Sequence, residues 1–167
     1  MVYYAEIADL EGAALILEAM DTSKPRKWPL SLDPEAAAEL ERLREAGHHI
    51  ETARRAHIIH SSLETGRATQ LYHTVPHEIG HWVDYLRSVE EPAAQSRDQG
   101  DDWCHWWDLY WSRPSKEREA FAHRYADETR RSLNDAGVIP FERCLDLDVL
   151  RRDGLRPEDF VEAHGVR

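Results

Sequence analysis

The chain has 167 residues, with 21 Lys plus Arg against 32 Asp plus Glu and a formal charge of −11. That length fits one domain, and 41% hydrophobic residues, including six Trp, suffice for a core. The acid excess works against a grip on nucleic-acid phosphates or on an anionic membrane, and no run approaches the roughly 18 apolar residues of a membrane span.

In chain order, Ile7, Leu10, Ala14 and Leu17 recur at steps of three and four, which predicts an amphipathic helix over residues 5–20. The opening VYYAEI has the composition of a strand. No basic region precedes the apolar stretch, so a secretory signal is not expected. Residues 21–31, with two prolines, read as a loop. Asp33-Pro34 pairs a capping side chain with proline at the first helical position, and predicts a helix to about Ala46, ended by Gly47. Its thin stripe of Ala36, Leu40 and Leu43 places it at the surface.

Residues 55–63 (RAHIIHSSL) are the best strand candidate. A helix is predicted from Thr69 to about Val89, with Pro76 either kinking it or marking its start at Thr74. Residues 90–102 are the most loop-like stretch. Residues 103–111 (WCHWWDLYW) predict a short helix with Trp103, Trp107, Tyr110 and Trp111 on one side. A longer helix follows from Pro114 or Ser115 to Asn134, with Gly137 beyond its end. Two short helices are expected in the tail, over 146–152 and 157–163. The fold class expected is α+β, mostly helical with a small sheet, as a domain over 1–140 and a short helical tail over 141–167. Two cysteines, Cys104 and Cys144, give no disulfide framework, so free thiols and a cytoplasmic location are expected.

Histidine is organised around residues 77–81, His77-Glu78-Ile79-Gly80-His81. On a helix, residues four apart stack on one face, so both imidazoles can reach one ion. Glu78 is rotated by about 100°, to flank the ion rather than bind it, where a general base belongs. Val75, Ile79, Val83 and Leu86 offer apolar surface for burial, and Gly80 permits close approach of another element. Asp84 shares the ligand face and can accept the second ring N–H of a ligand histidine.

A catalytic zinc takes three protein ligands plus water. The candidates for the third are His73, Asp84, Cys104, His105 and Glu119, with Glu117 behind Glu119. Glu119 is preferred: it sits on a separate helix whose face through Ala122, His123 and Ala126 allows close packing. One carboxylate and two neutral imidazoles also balance a dication.

HEIGHWVDYL over 77–86 followed by EREAFAHRYA over 117–126 resembles the zincin metallopeptidases of the gluzincin type. The likeness is greatest to the group of the anthrax lethal factor catalytic domain and the Pro-Pro endopeptidases. It covers a quarter of the chain or less. It implies a minimal zincin-like fold with an active-site helix, zinc held by His77, His81 and Glu119, and Glu78 as base. It further implies a hydrolase cleaving a peptide or protein substrate, with an edge strand before the helix aligning the peptide; residues 57–63 are the candidate for that strand. Where that group carries a tyrosine seven residues before the ligand glutamate, this chain has Ser112. Tyr110, His105 and His123, in that order, are the candidates for oxyanion support. The Trp103–Trp111 cluster suits core packing, or the wall of an apolar pocket. The alternatives to a peptidase are a non-hydrolytic binding module around a structural zinc, and a zinc hydrolase of a non-peptide amide. Neither the substrate nor the oligomeric state is written in these residues.

Overall fold

The computed structural model describes residues 2–7, 10–17, 20–96, 101–142, 146–154 and 156. Its N-terminus departs from the helix expected over 5–20. Strand β1 (Val2–Ile7) pairs antiparallel with β2 (Leu10–Leu15), in a register running from Val2↔Leu15 to Ile7↔Leu10. Two residues separate the strands, the length of the tightest hairpin connection. Steps of three and four fit a helix, yet VYYAEI is β-forming, and β1 finds a surface to lie against on the central helix.

A second sheet has the order β3-β5-β4, all antiparallel. Strand β3 (Arg26–Pro29) falls in the stretch expected to be a loop, and β4 (His49–Thr52) was not foreseen. β5 (Ala56–His60) lies inside the expected strand, but as the central one. Both its edges are paired, so residues 57–60 cannot accept a substrate strand, and the free edges belong to β3 and β4.

Helix α1 (Pro34–Glu45) begins where its cap is written: Asp33 accepts the Ala36 amide at 2.8 Å. Gly47, at φ +89°, ends it. The stripe is thin but not peripheral. Leu40 and Leu43 are buried against Ile59, with Trp28, Leu32 and Ile50 around them. This small core joins α1 to one face of the sheet.

From Leu63 to Gln95 the chain is helical without a break. It comprises α2 (Leu63–Thr69), a π-turn (Gln70–Thr74), α3 (Val75–Tyr85), a second π-turn (Leu86–Glu90) and α4 (Glu91–Gln95). It starts at Ser62, whose hydroxyl and Thr65 form a capping box, earlier than the expected Thr69 or Thr74. α4 also occupies part of the stretch read as a loop over 90–102. Pro76 and Pro92 each stand at the second position after a π-turn. A proline removes one amide donor and crowds the carbonyl four residues back. The wider turn opens the backbone there, with Val75 N–H donating to Gln70 C=O and Glu91 N–H to Leu86 C=O. The helix therefore passes through Pro76 instead of stopping at it.

α5 (Asp101–Ser112) and α6 (Ser115–Asp135) follow, with Gly137 at φ +66° beyond α6. α7 (Leu147–Arg152) begins at Asp146, which accepts the amides of Asp148 and Val149. The helix expected over 157–163 and Cys144 lie outside the described residues. The architecture is thus α+β and mostly helical, with small antiparallel sheets.

Candidate metal centre between two helices

Helices α3 and α6 form the principal helix pair, and Gly80 explains how closely they meet. A Cβ at position 80 would lie 2.9 Å from Ala122 Cα, 3.0 Å from Ala122 O and 3.2 Å from Tyr125 Cβ. Only a residue without a side chain tolerates that approach. Ala122 and Ala126 on the facing stripe are buried. Of the apolar residues expected to bury α3, Ile79 is 40% exposed, while Val75, Val83 and Leu86 are half-buried.

This contact sets Glu119 of α6 over His77 and His81 of α3. His77 Nε2 lies 3.3 Å from Glu119 Oε2, His81 Nε2 lies 3.5 Å from Glu119 Oε1, and the two Nε2 atoms are 3.1 Å apart. Among the described residues these three form the group whose ligand atoms are close enough to share a metal ion. Each supplies a donor that zinc takes: two imidazole nitrogens and one carboxylate oxygen. The two Nε2 atoms stand at hydrogen-bond distance from each other, and as lone-pair donors beside a carboxylate they make a set that fits a divalent metal. Glu119 is the most open of the three, at 38% side-chain exposure against 17% and 23%.

His77 is held neutral, its pKa driven down to about 4. Burial is the main cause, followed by repulsion from His123 and His81, with Glu119 and Glu78 opposing. A neutral imidazole is the form that binds a metal. Glu78 follows His77 on α3, half-buried and close enough for its charge to act on that ring.

The remaining candidates separate clearly. His123, one turn beyond Glu119, lays its ring against His77 with centroids 4.4 Å apart. Its own pKa is lowered, first by burial and then by Arg42. Tyr110 is 4% exposed, and its hydroxyl titrates above the usual range through burial and the charge of Asp84, with Glu119 adding to the effect. His105 and Cys104 are exposed on α5, and the His105 ring meets Trp106. Neither joins the group. Ser112 donates to Leu109 C=O at 2.8 Å and closes the end of α5.

Asp84 has a different partner from the one expected. Its oxygens accept Arg113 Nη2 at 2.6 Å and Nη1 at 3.3 Å, and Ser88 Oγ at 3.3 Å, rather than a ring N–H of either histidine. His77 Nδ1 is buried with no hydrogen-bond partner among the described residues. Arg113 stands at the corner between α5 and α6, and its carbonyl accepts Arg118 Nη1 at 2.6 Å. Asp84 therefore ties α3 to the corner from which Glu119 is presented. Arg113 and Arg118 were missed in the sequence; the available signal was a pair of arginines bracketing Pro114 and the start of α6.

The α3–α6 seam runs antiparallel, with His81 near Glu119 and His77 near His123. One turn further on, His73 and Asp127 line a cavity of about 460 Å³ together with Tyr72, Glu45 and Arg130. The aromatic residues of α5 form a ladder. Trp103 stacks on Trp107 at 5.0 Å, Trp107 meets Trp111 at 5.5 Å, and Tyr85 of α3 meets both Trp107 and Tyr110. Glu90 fixes the ladder by accepting from Tyr85 Oη at 2.5 Å and Trp103 Nε1 at 3.2 Å. Trp107 and Trp111 remain 37% and 51% exposed. No family model, curated protein or solved structure matches this chain.

Proposed function

We propose that the chain is a zinc-dependent metallopeptidase of the zincin type. The observation that carries this reading is the convergence of three donor groups: His77 Nε2 and His81 Nε2 are 3.1 Å apart, and they face the Glu119 carboxylate at 3.3 Å from Oε2 and 3.5 Å from Oε1 respectively. Three donors rather than four, among the described residues, suit a centre that keeps a position for a reactant. When bound, zinc supplies Lewis acidity, making a water acidic near neutral pH and polarising a carbonyl.

The chain's own residues supply the rest. A carboxylate oxygen of Glu78 takes the proton of the attacking water and hands it to the leaving nitrogen. His123, whose ring lies against His77, is the oxyanion candidate we favour and donates from a ring N–H. Tyr110, ranked first of the oxyanion candidates from the sequence, is buried on α5 and near enough to feel the charge of Glu119. Removing such a donor costs roughly 3–4 kcal/mol of transition-state stabilisation.

The test is metal analysis and peptide-library cleavage read by mass spectrometry. The purified protein should carry one zinc at this group and cut peptides. Glu78→Gln should keep the zinc and lose cleavage by a factor of at least about 100. Glu119→Ala should lose the zinc. Cleavage that survives in Glu78→Gln, or zinc fully retained in Glu119→Ala, would overturn the assignment.

A further inference from the structure

One turn from the metal ligands, the seam between α3 and α6 opens into the cavity of about 460 Å³, a size suited to a small ligand or a side chain. Its walls are fixed. Phe141 N–H donates to Tyr72 Oη at 3.0 Å, Arg67 Nη2 donates to Phe141 C=O at 3.0 Å, and the Tyr72 and Phe141 rings lie 5.6 Å apart. These contacts hold the segment of Ile139 and Pro140 beside the first π-turn. The charges that line the cavity are unequally engaged. Arg130 is ion-paired with Glu45. Asp127 is half-buried and its charge acts on His73 and His123, yet no hydrogen bond or ion pair engages it among the described residues. Arg131, one turn further along α6, is exposed and forms no ion pair with it. His73 is held neutral, first by burial and then by the charge of Arg130.

We propose that this cavity binds a cationic side chain, the ammonium of lysine or the guanidinium of arginine, of the peptide cut at the metal centre. The peptide rests on the metallopeptidase reading; the charge preference rests on Asp127 alone. A half-buried carboxylate without a partner is destabilising, and an incoming cation relieves it. The ligand's remaining donors find acceptors in the neutral His73 ring and the Asn134 side-chain carbonyl. Its alkyl stem packs on Ala46, Ala68, Ile139 and Pro140. An acidic side chain fits poorly: it meets the unpaired Asp127, and Arg130 is already taken by Glu45. The spacing agrees with this role. His73 precedes His77 by four residues, about 6 Å along the helix. An extended peptide advances about 3.3 Å per residue, so the side chain read here lies about two residues from the reacting bond.

The test has two arms, the first independent of catalysis. Purified, isotope-labelled protein is titrated with Nα-acetyl-lysine amide and followed by NMR, with the norleucine and glutamate analogues as controls. The lysine probe should shift backbone amides within 68–73 and 127–134, and should bind more tightly than either control. Asp127→Asn keeps the size of the side chain, and circular dichroism verifies its fold. It should weaken lysine binding by at least about tenfold. In the second arm, the peptide library should show lysine or arginine at one position about two residues from the cut. Asp127→Asn should keep its zinc and still cut, without that preference. Equal binding of the glutamate probe, unchanged lysine binding in Asp127→Asn, or cleavage indifferent to basic residues would overturn the proposal. Lysine binding without cleavage of any peptide would retire the peptidase reading and leave the cavity's choice of a cation standing.

Discussion

Asp84 shows how a residue can be read correctly as important and assigned the wrong partner. Its place on the histidine face of α3 follows from helical periodicity, but the hand that grips it comes from Arg113, 29 residues later, which periodicity cannot reveal. The pair is largely buried on the aspartate side and partly open on the arginine side. Removing one partner leaves a poorly compensated charge, so Asp84→Asn should destabilise the fold by about 2–4 kcal/mol in urea denaturation. A double-mutant cycle with Arg113→Met should show coupling, since each single change already breaks the same contact. Additive effects would mean that the ion pair contributes nothing. Glu119 was legible for a simpler reason: its helix offered Ala122 and Ala126 one turn apart on the same side, and small residues announce where a neighbour comes close.

Among the elements, the donor helix pair was readable and the strands largely were not. Asp33, Gly47 and Gly137 mark helix ends by local chemistry alone. β3, four residues beside Pro25 and ending on Pro29, is held in place by β5, and so carries little signal of its own. β4 is equally short, and residues 5–15 satisfy a helical count while the chain prefers a hairpin. Gly80 gives the prediction that belongs at this scale. Gly80→Ala places a methyl group against the Ala122 backbone, which cannot rotate away, and overpacking of this kind costs about 1–3 kcal/mol. Because α6 must retreat to admit it, zinc affinity should fall together with stability, as measured by competition with a chromogenic chelator. An unchanged affinity would show that the separation of α3 and α6 does not govern the donor triangle.

For the molecule as a whole, histidine burial dictates the response to acid. His48, His73, His77 and His123 all have pKa values lowered from the ordinary 6.5, each mainly by burial. Below about pH 6.5 the unfolded chain binds more protons than the folded one, so metal-free protein should lose stability as pH falls, with the His77 contribution growing down to about pH 4. Thermal melts between pH 7.5 and 4 measure this, and a flat profile would contradict it. At neutral pH, zinc at a hundredfold excess over its Kd should add about 2.7 kcal/mol of stability, reversed by chelator. The two π-turns carry a different consequence. Each holds one residue more than a regular turn but takes it up in a single wider rotation, so the stretches on either side keep nearly the same rotational phase. Point substitutions within 70–74 leave that phase alone. Deleting a single residue there would let the rod close as a regular α-helix, with α2 and α3 in nearly the same relative orientation. The segment thus tolerates a loss that a regular stretch would not, since the same deletion inside α3 would swing everything beyond it by about 100°.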